Sequence, residues 1–414
     1  MKPNKKLVIF LLLIIAGYVT FGLFSMAIRA KGYVYPDGSF LFLREDQFMD
    51  FFNVNQMVSE RLPYVKYYST YPPLILAVAY VFSLFGNYAV YTVKEIAAMP
   101  MGKLSYIVCF GIGTLVLVVC LYKIIRKYSK NRCPAWLAGI AALLSTFTAP
   151  YIFMLDRGNY LVVALIFYAL FIYYYEDNEN LSAVFLGLSA AVKLYPIYMI
   201  VVFVAEKKWK KVFITLATAA VAFFVPLLIF RGGYVQNIKE ILYALFAFGE
   251  GYSSEVPNVY FGVGLSSFLR FPFVVWHDLT VPSWFPVMKF YVLIGAVMTF
   301  WSLFRIWREK SVWKRLMVFT TLMVFLIPNS YMYNLTFLTP VILVFLMKKE
   351  PKHTWKDYIY LLMLGMIMAP KAYYYMLHEH AVGIQVVLDG LLLAGLVIFY
   401  NLFDFDSQSK RAGK

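Results

Sequence analysis

Arg44-Glu45-Asp46-Gln47-Phe48-Met49-Asp50-Phe51-Phe52, followed by Pro63-Tyr64 and Tyr71-Pro72-Pro73-Leu74, is an acid-bearing loop set between long apolar runs. The run before it, Leu7 to Ile28, matches the ~20 residues a helix needs to cross a bilayer. Comparable runs recur along the whole chain, and no polar block is long enough for a soluble domain. The composition agrees. Hydrophobic residues make up 62% and charged residues 14% of the 414 positions, and mean hydropathy is +0.70; soluble domains carry about 25% charged residues. In a bilayer the backbone must satisfy its own hydrogen bonds, so the runs are helices. The expectation is an all-α, polytopic transmembrane bundle of roughly 10 to 13 membrane segments, forming one domain over residues 1–414.

Lys2, Lys5 and Lys6 precede the first run, and Ser25-Met26-Ala27 could pass for a cleavage site. The run exceeds the ~7–15 residues of a secretory signal core, so it reads as an uncleaved anchor. Cys109, Cys120 and Cys133 show neither a disulfide framework nor metal-ligand spacing.

Basic residues cluster at the N-terminus, at 123–133, 206–211, 305–315 and 348–357, and in the tail 404–414; these six clusters hold 24 of the 38 lysines and arginines. Placing them on the cytoplasmic side with Glu176-Asp177-Asn178-Glu179-Asn180 puts nearly all of the +16 net charge on one face, as the positive-inside rule requires. The protein then sits in the cell membrane as a multi-pass chain with both termini cytoplasmic. The excess charge suits anionic lipid and needs no nucleic acid. Runs 134–153 and 160–175 become an outward hairpin with Asp156-Arg157-Gly158-Asn159 at its tip. Residues 181–205 must leave and return within one short span, which predicts half-helices broken around Lys193-Leu194-Tyr195-Pro196, where proline disrupts the helix. A similar half-pair is expected for 72–103. Further runs fall near 212–230, 286–304, 316–328, 335–347, 358–377 and 383–403. The first external loop, 29–71, and the other polar clusters share the extracytoplasmic face.

Asp46 and Asp50 are four apart and would share one face of a short helix, with Phe48, Met49, Phe51 and Phe52 holding it flat on the interface. Carboxylates beside a bilayer are candidates for a general base. An ordinary interfacial helix with solvated acids fits this segment equally. Asn159 or Asp156 can cap the helix that follows the hairpin tip, and Arg157 beside that helix start suits a phosphate; a capped turn with a snorkelling arginine is the plainer reading. Lys193, flanked by Ala190-Ala191-Val192 and Leu194-Tyr195, is too costly in lipid unless it faces a cavity or partner. The histidines, His277-Asp278, His353 and His378-Glu379-His380, read as interfacial or loop positions. Asp404-Phe405-Asp406 has the spacing used for metal-bound nucleotide sugars but sits in a short tail. Walker loops, dinucleotide fingerprints, zinc-protease helices and nucleophile elbows do not occur.

Taken in order, Asp50-Phe51, Pro63-Tyr64, Tyr71-Pro72-Pro73-Leu74, Arg157-Gly158-Asn159 and Lys193-Leu194-Tyr195-Pro196 resemble glycosyltransferase family 87 over roughly residues 45 to 340. The resemblance implies a GT-C type membrane enzyme that takes a sugar, typically mannose, from polyprenyl phosphate. An aspartate of the first external loop then looks like the catalytic base. Asp50 matches it better than Asp46, because the aromatic pair follows directly. Arg157 and Lys193, with Arg61 and Lys66 behind them, become the candidates for holding the phosphate, and Asn159, Tyr71, Asn329, Tyr333 and Asn334 for contacting substrate. The family's later external motif commonly carries two histidines; here Pro328-Asn329-Ser330-Tyr331-Met332-Tyr333-Asn334 keeps the proline and serine and replaces both. The implied partners are a polyprenyl-phosphate-linked sugar donor, a glycan or glycolipid acceptor and the lipid bilayer. The scheme requires no cofactor and no metal, though Glu45 and Asp46 leave the metal question open. A transporter or flippase of lipid-linked saccharides is the alternative, and a membrane scaffold a third; the concentration of charge at one interface favours the enzyme.

Overall fold

The computed structural model describes residues 5–30, 47–86, 88, 90–250, 259, 262–277, 284–348, 354–370, 374–377, 380–383 and 385–404. They are almost wholly helical. In chain order the elements are α1 (Lys5–Ala30), α2 (Met49–Ser59), α3 (Pro73–Ser83), α4 (Val93–Ala98), α5 (Pro100–Tyr128), α6 (Ala135–Thr146), α7 (Ala149–Arg157), α8 (Leu161–Tyr174) and α9 (Glu179–Val192). A 3-10 turn (Tyr195–Met199) then leads into α10 (Ile200–Ala205), α11 (Trp209–Phe224), α12 (Tyr234–Glu250), α13 (Leu265–His277), α14 (Trp284–Ile306) and α15 (Val312–Phe325). A second 3-10 turn (Met332–Phe337) enters α16 (Leu338–Met347), followed by α17 (Trp355–Met368), the strands β1 (Tyr374–Leu377) and β2 (His380–Gly383), and α18 (Gln385–Phe403).

Among the described residues, four helical stretches are long and apolar enough to cross a membrane: Lys5–Ala27, Pro100–Tyr128, Trp209–Ile229 and Val287–Ile306; α6 and α7, bent by 58°, would together make a fifth. Their exposed side chains are large and apolar, as on α5, where Ile107, Ile112 and Leu115 point outward. The remaining apolar helices are shorter. α8, with 14 residues, extends only about 21 Å at 1.5 Å per residue, short of the ~30 Å hydrocarbon core. It is apolar on every side and lies inside, packed against α5 and α9, as a helix without a polar face must. α9 packs against α8 and α11, α1 against α17, and α15 against α16 and α18.

Several expected runs take other forms. Residues 72–103 do not form a half-pair: α3 has eleven residues and α4 six, and Pro100 then opens the 29-residue α5, proline being tolerated in a first turn. The run expected over 358–377 stops at Met368, where Ala369 is extended (φ −75°, ψ 151°) because it precedes Pro370. Beyond it β1 and β2 pair antiparallel, Tyr374 opposite Gly383. The break at Lys193 is present: α9 ends at Val192, and Lys193 is extended (φ −139°, ψ 128°).

Among the described residues, five of the six basic clusters contribute to ion pairs; the basic residues of the tail lie outside them. Lys127 bonds Asp177, Lys348 bonds Glu176, and Lys208 bonds both Glu179 and Glu206. Arg315 reaches Glu206 at 2.7 Å, Lys314 and Lys356 share Asp404, and Lys6 approaches Asp357. Asp404 is thus an anchor of α18. Glu206 is the most enclosed acid of the Lys208 and Arg315 pairs, its side chain 9% exposed. Removing one partner of an enclosed pair leaves uncompensated charge, whereas exposed pairs contribute little. Glu206→Gln should therefore cost about 3 kcal/mol and lower the apparent melting temperature in detergent. Glu60→Gln, which removes the exposed partner of Lys66, should leave that temperature unchanged.

Candidate active site

Asp50 occupies the first turn of α2, and its carboxylate is held on both oxygens. Arg157 Nη2 donates to Oδ1 at 2.8 Å, and Asn159 Nδ2 donates to Oδ2 at 2.9 Å. The carboxylate stays 20% exposed, and each oxygen has a further lone pair for an incoming proton. The Asn159 amide is oriented from its other end, where Oδ1 accepts the Leu161 N–H at 3.0 Å and so caps the start of α8. One asparagine thus joins the helix start to the acid.

The turn between these two donors can be built only with glycine. Gly158 adopts a left-handed conformation (φ +66°), and a Cβ there would lie 2.9 Å from both the Phe48 carbonyl oxygen and the Phe51 Cβ. Phe48 is itself left-handed (φ 62°), and its N–H donates to the Asp156 carbonyl at 2.7 Å. Backbone of α2 and backbone of the hairpin tip therefore touch directly. The aromatic pair that follows Asp50 does not lie on the membrane interface as expected from sequence. Phe51 and Phe52 are fully buried, with Phe51 against Tyr106, Phe110 and Tyr160. These rings anchor α2 in protein and leave Asp50 on its open side.

Lys193 sits half-buried with its ammonium 4.8 Å from the centre of the Tyr71 ring, a cation–π contact, and lies close enough to sense the charge of Asp50. Tyr71 is placed by the preceding motif: the buried Tyr64 hydroxyl donates to its carbonyl at 3.0 Å. Tyr333 also senses Asp50, stacks on Phe153 and meets Tyr331. Asn334 Oδ1 accepts the Tyr195 hydroxyl at 2.7 Å, linking the segment that replaces the family's histidine motif to the break beyond Lys193. The Oδ1 of Asn329 is enclosed and has no hydrogen-bond partner among the described residues.

Two proposed phosphate ligands are otherwise engaged. Lys66 binds Glu60 at 2.6 Å, and this bond holds the Glu60 carboxyl below its usual range. Arg61 Nε donates to the Ile229 carbonyl at 2.7 Å, and the Arg61 carbonyl accepts from Arg231 N–H; both bonds fasten the loop to the end of α11. Asp46 and Glu45 lie outside the described residues, and α2 begins at Met49, so its first turn carries Asp50 alone. Also outside are Asp278, His353, the His378-Glu379 pair and the tail beyond Asp404. Among the described residues no three His, Cys, Asp or Glu side chains converge as a metal would need. Sequence reasoning missed the buried Asn55, which accepts the Tyr160 hydroxyl at 2.6 Å and donates to Tyr88. Its only signal was an amide among apolar neighbours on α2.

Gly158→Ala should disturb this arrangement without touching a polar atom. Left-handed strain and overpacking together cost about 2–4 kcal/mol, so this variant should lower the melting temperature and displace Asp50. Gly139→Ala, where a Cβ meets open space, should change neither stability nor activity.

No curated protein matches the chain. The sequence model of glycosyltransferase family 87 matches residues 67–328, well over half of the chain. The matched stretch contains Tyr71, Arg157, Asn159 and Lys193, while Asp50 precedes it and joins them by geometry. The protein belongs to glycosyltransferase family 87 and is a membrane glycosyltransferase.

Proposed function

We propose that the protein transfers a sugar, mannose or another hexose, from polyprenyl phosphate to a glycan or glycolipid acceptor on the extracytoplasmic face of the cell membrane. The observation that carries this reading is the Asp50 carboxylate, clamped by Arg157 and Asn159 yet open on one side. Asp50 takes the proton of an acceptor hydroxyl. The hydroxyl oxygen then attacks the anomeric carbon, the bond from that carbon to the phosphate oxygen breaks, and polyprenyl phosphate departs with the bonding pair. Phosphate leaves as a stable anion, so no acid is needed; positive charge near it is. Lys193 supplies that charge in this scheme, and Arg157 orients the base while contributing to the field. Tyr71, Tyr333, Asn334 and Asn329 line the approach for substrate.

The ion pairs that gather five of the six basic clusters support a topology with both termini cytoplasmic and 10 to 13 membrane segments in one domain. In it, broken helices such as α9 with α10 would line a protein-enclosed cavity. The acid and its donors belong to the other face.

The test is transfer by the purified chain in liposomes, with labelled polyprenyl-phosphate sugars and sugar nucleotides offered separately. The expected result is product from the lipid-linked sugar alone, with the anomeric configuration inverted. Product from the sugar nucleotide would overturn the donor, and retention of configuration would make Asp50 a nucleophile rather than a base. Passage of lipid-linked sugar across the bilayer with no product formed would establish a flippase instead.

A further inference from the structure

Beside Asp50, on the far side of Phe48 and Met49, lies a half-open cavity of about 510 Å³, whose wall includes Phe48, Phe52, Lys94, Ala97, Lys103 and Tyr106. Its volume is that of a small-ligand site. Neither family resemblance nor the scheme above uses it.

Two features build it. The six-residue α4 is fixed by a capping box: the Thr92 side chain accepts from Glu95 N–H, and the Glu95 carboxylate accepts from Thr92 N–H at 2.7 Å and from its hydroxyl at 2.9 Å. Glu95 is thereby turned back on its own helix start. α4 then folds onto the beginning of α5, where a Cβ on Gly102 would lie 2.0 Å from the Ile96 carbonyl oxygen. This contact brings Lys94 and Lys103 to one cavity. Neither lysine makes an ion pair with a described residue, and no carboxylate of a described residue lines the wall.

The surroundings specify the occupant. Lys103 lies in the first turn of α5, a span of 29 residues, so the cavity sits at a membrane interface. Its rim continues onto the lipid-facing side of α5, where Leu104 and Ile107 are exposed. Two ammonium groups without an ion-pair partner among the described residues, set above an apolar track, fit an anionic head on a long hydrocarbon chain. Phe48 and Met49, which form part of the wall, immediately precede Asp50, so the cavity and the base share the start of α2.

We infer that Lys94 and Lys103 bind the phosphate of the polyprenyl-phosphate donor, with its chain lying along the outer face of α5. The inference rests on the donor class proposed above, and it adds a site for the phosphate between the bilayer and Asp50. Arg157 is occupied with Asp50 and Lys193 stands on Tyr71, so these two lysines receive the lipid and Lys193 meets its phosphate at the reacting centre.

The test is binding to the purified full chain in detergent, followed by intrinsic tryptophan fluorescence, using sugar-free polyprenyl phosphate, the uncharged polyprenol and phosphatidylglycerol as probes. Both lysines are exposed, so the double variant Lys94→Gln/Lys103→Gln should fold normally. It should bind polyprenyl phosphate roughly 30-fold more weakly than wild type and polyprenol equally well. Lys94→Arg/Lys103→Arg should restore binding. Equal binding of polyprenyl phosphate by wild type and the glutamine variant would overturn the proposal. So would equal competition by phosphatidylglycerol, which would mark a seat for bulk anionic lipid. Because binding is read without turnover, failure of the transfer assay with this binding intact would refute the proposed reaction and leave the pocket standing.

Discussion

The clamp on Asp50 is the interaction on which the rest of the site depends. A carboxylate close to a bilayer must be hydrogen-bonded or neutralised, and here both oxygens are taken by side chains from the turn between α7 and α8. That turn closes against α2 only because Gly158 has no side chain, and α2 stays in place because Phe51 and Phe52 are buried beneath it. Chemistry, turn conformation and aromatic packing are therefore one construction. Breaking any of the three disturbs the other two.

The bundle separates its charges. The enclosed pairs of Glu206 and Asp404 fasten loop ends and the last helix, while Arg157 and Lys193 lie around Asp50 and Lys94 and Lys103 line the cavity beyond Phe48 and Met49. The first group is saturated by carboxylates and serves stability. The lysines of the second group stand without ion-pair partners among the described residues, which is the condition a phosphate-binding surface needs. Lys66 shows the contrast, since its ammonium is already committed to Glu60.

Much of this was legible in the sequence. The apolar runs announced a helical membrane protein, proline at 196 marked a break, and Asp156-Arg157-Gly158-Asn159 read as a capped turn. Other features were not legible, for physical reasons. Apolar side chains facing lipid and facing protein look alike, so the inward burial of Phe51 and the shortness of α8 could not be told from a spanning pattern. The run 358–377 read as continuous because Tyr373 to Leu377, aromatic and apolar, resume after the interruption at Pro370-Lys371. The bond from Arg157 to Asp50 joins residues 107 apart, a separation no local pattern encodes. Arg157 accordingly read as a phosphate ligand when its bonded partner is the acid. Lys94 and Lys103 drew no attention, since their approach depends on the contact of Gly102 with the Ile96 carbonyl.

The central claim is that the clamped carboxylate is the base. Asp50→Asn preserves size and keeps an acceptor for Arg157 while setting an N–H against the Asn159 amide, so it removes proton acceptance with the smallest change of shape. Its turnover in the reconstituted transfer reaction, measured against wild type at saturating donor and at a temperature where both proteins are folded, should fall by about 10²–10⁴-fold. Turnover equal to wild type would contradict the claim.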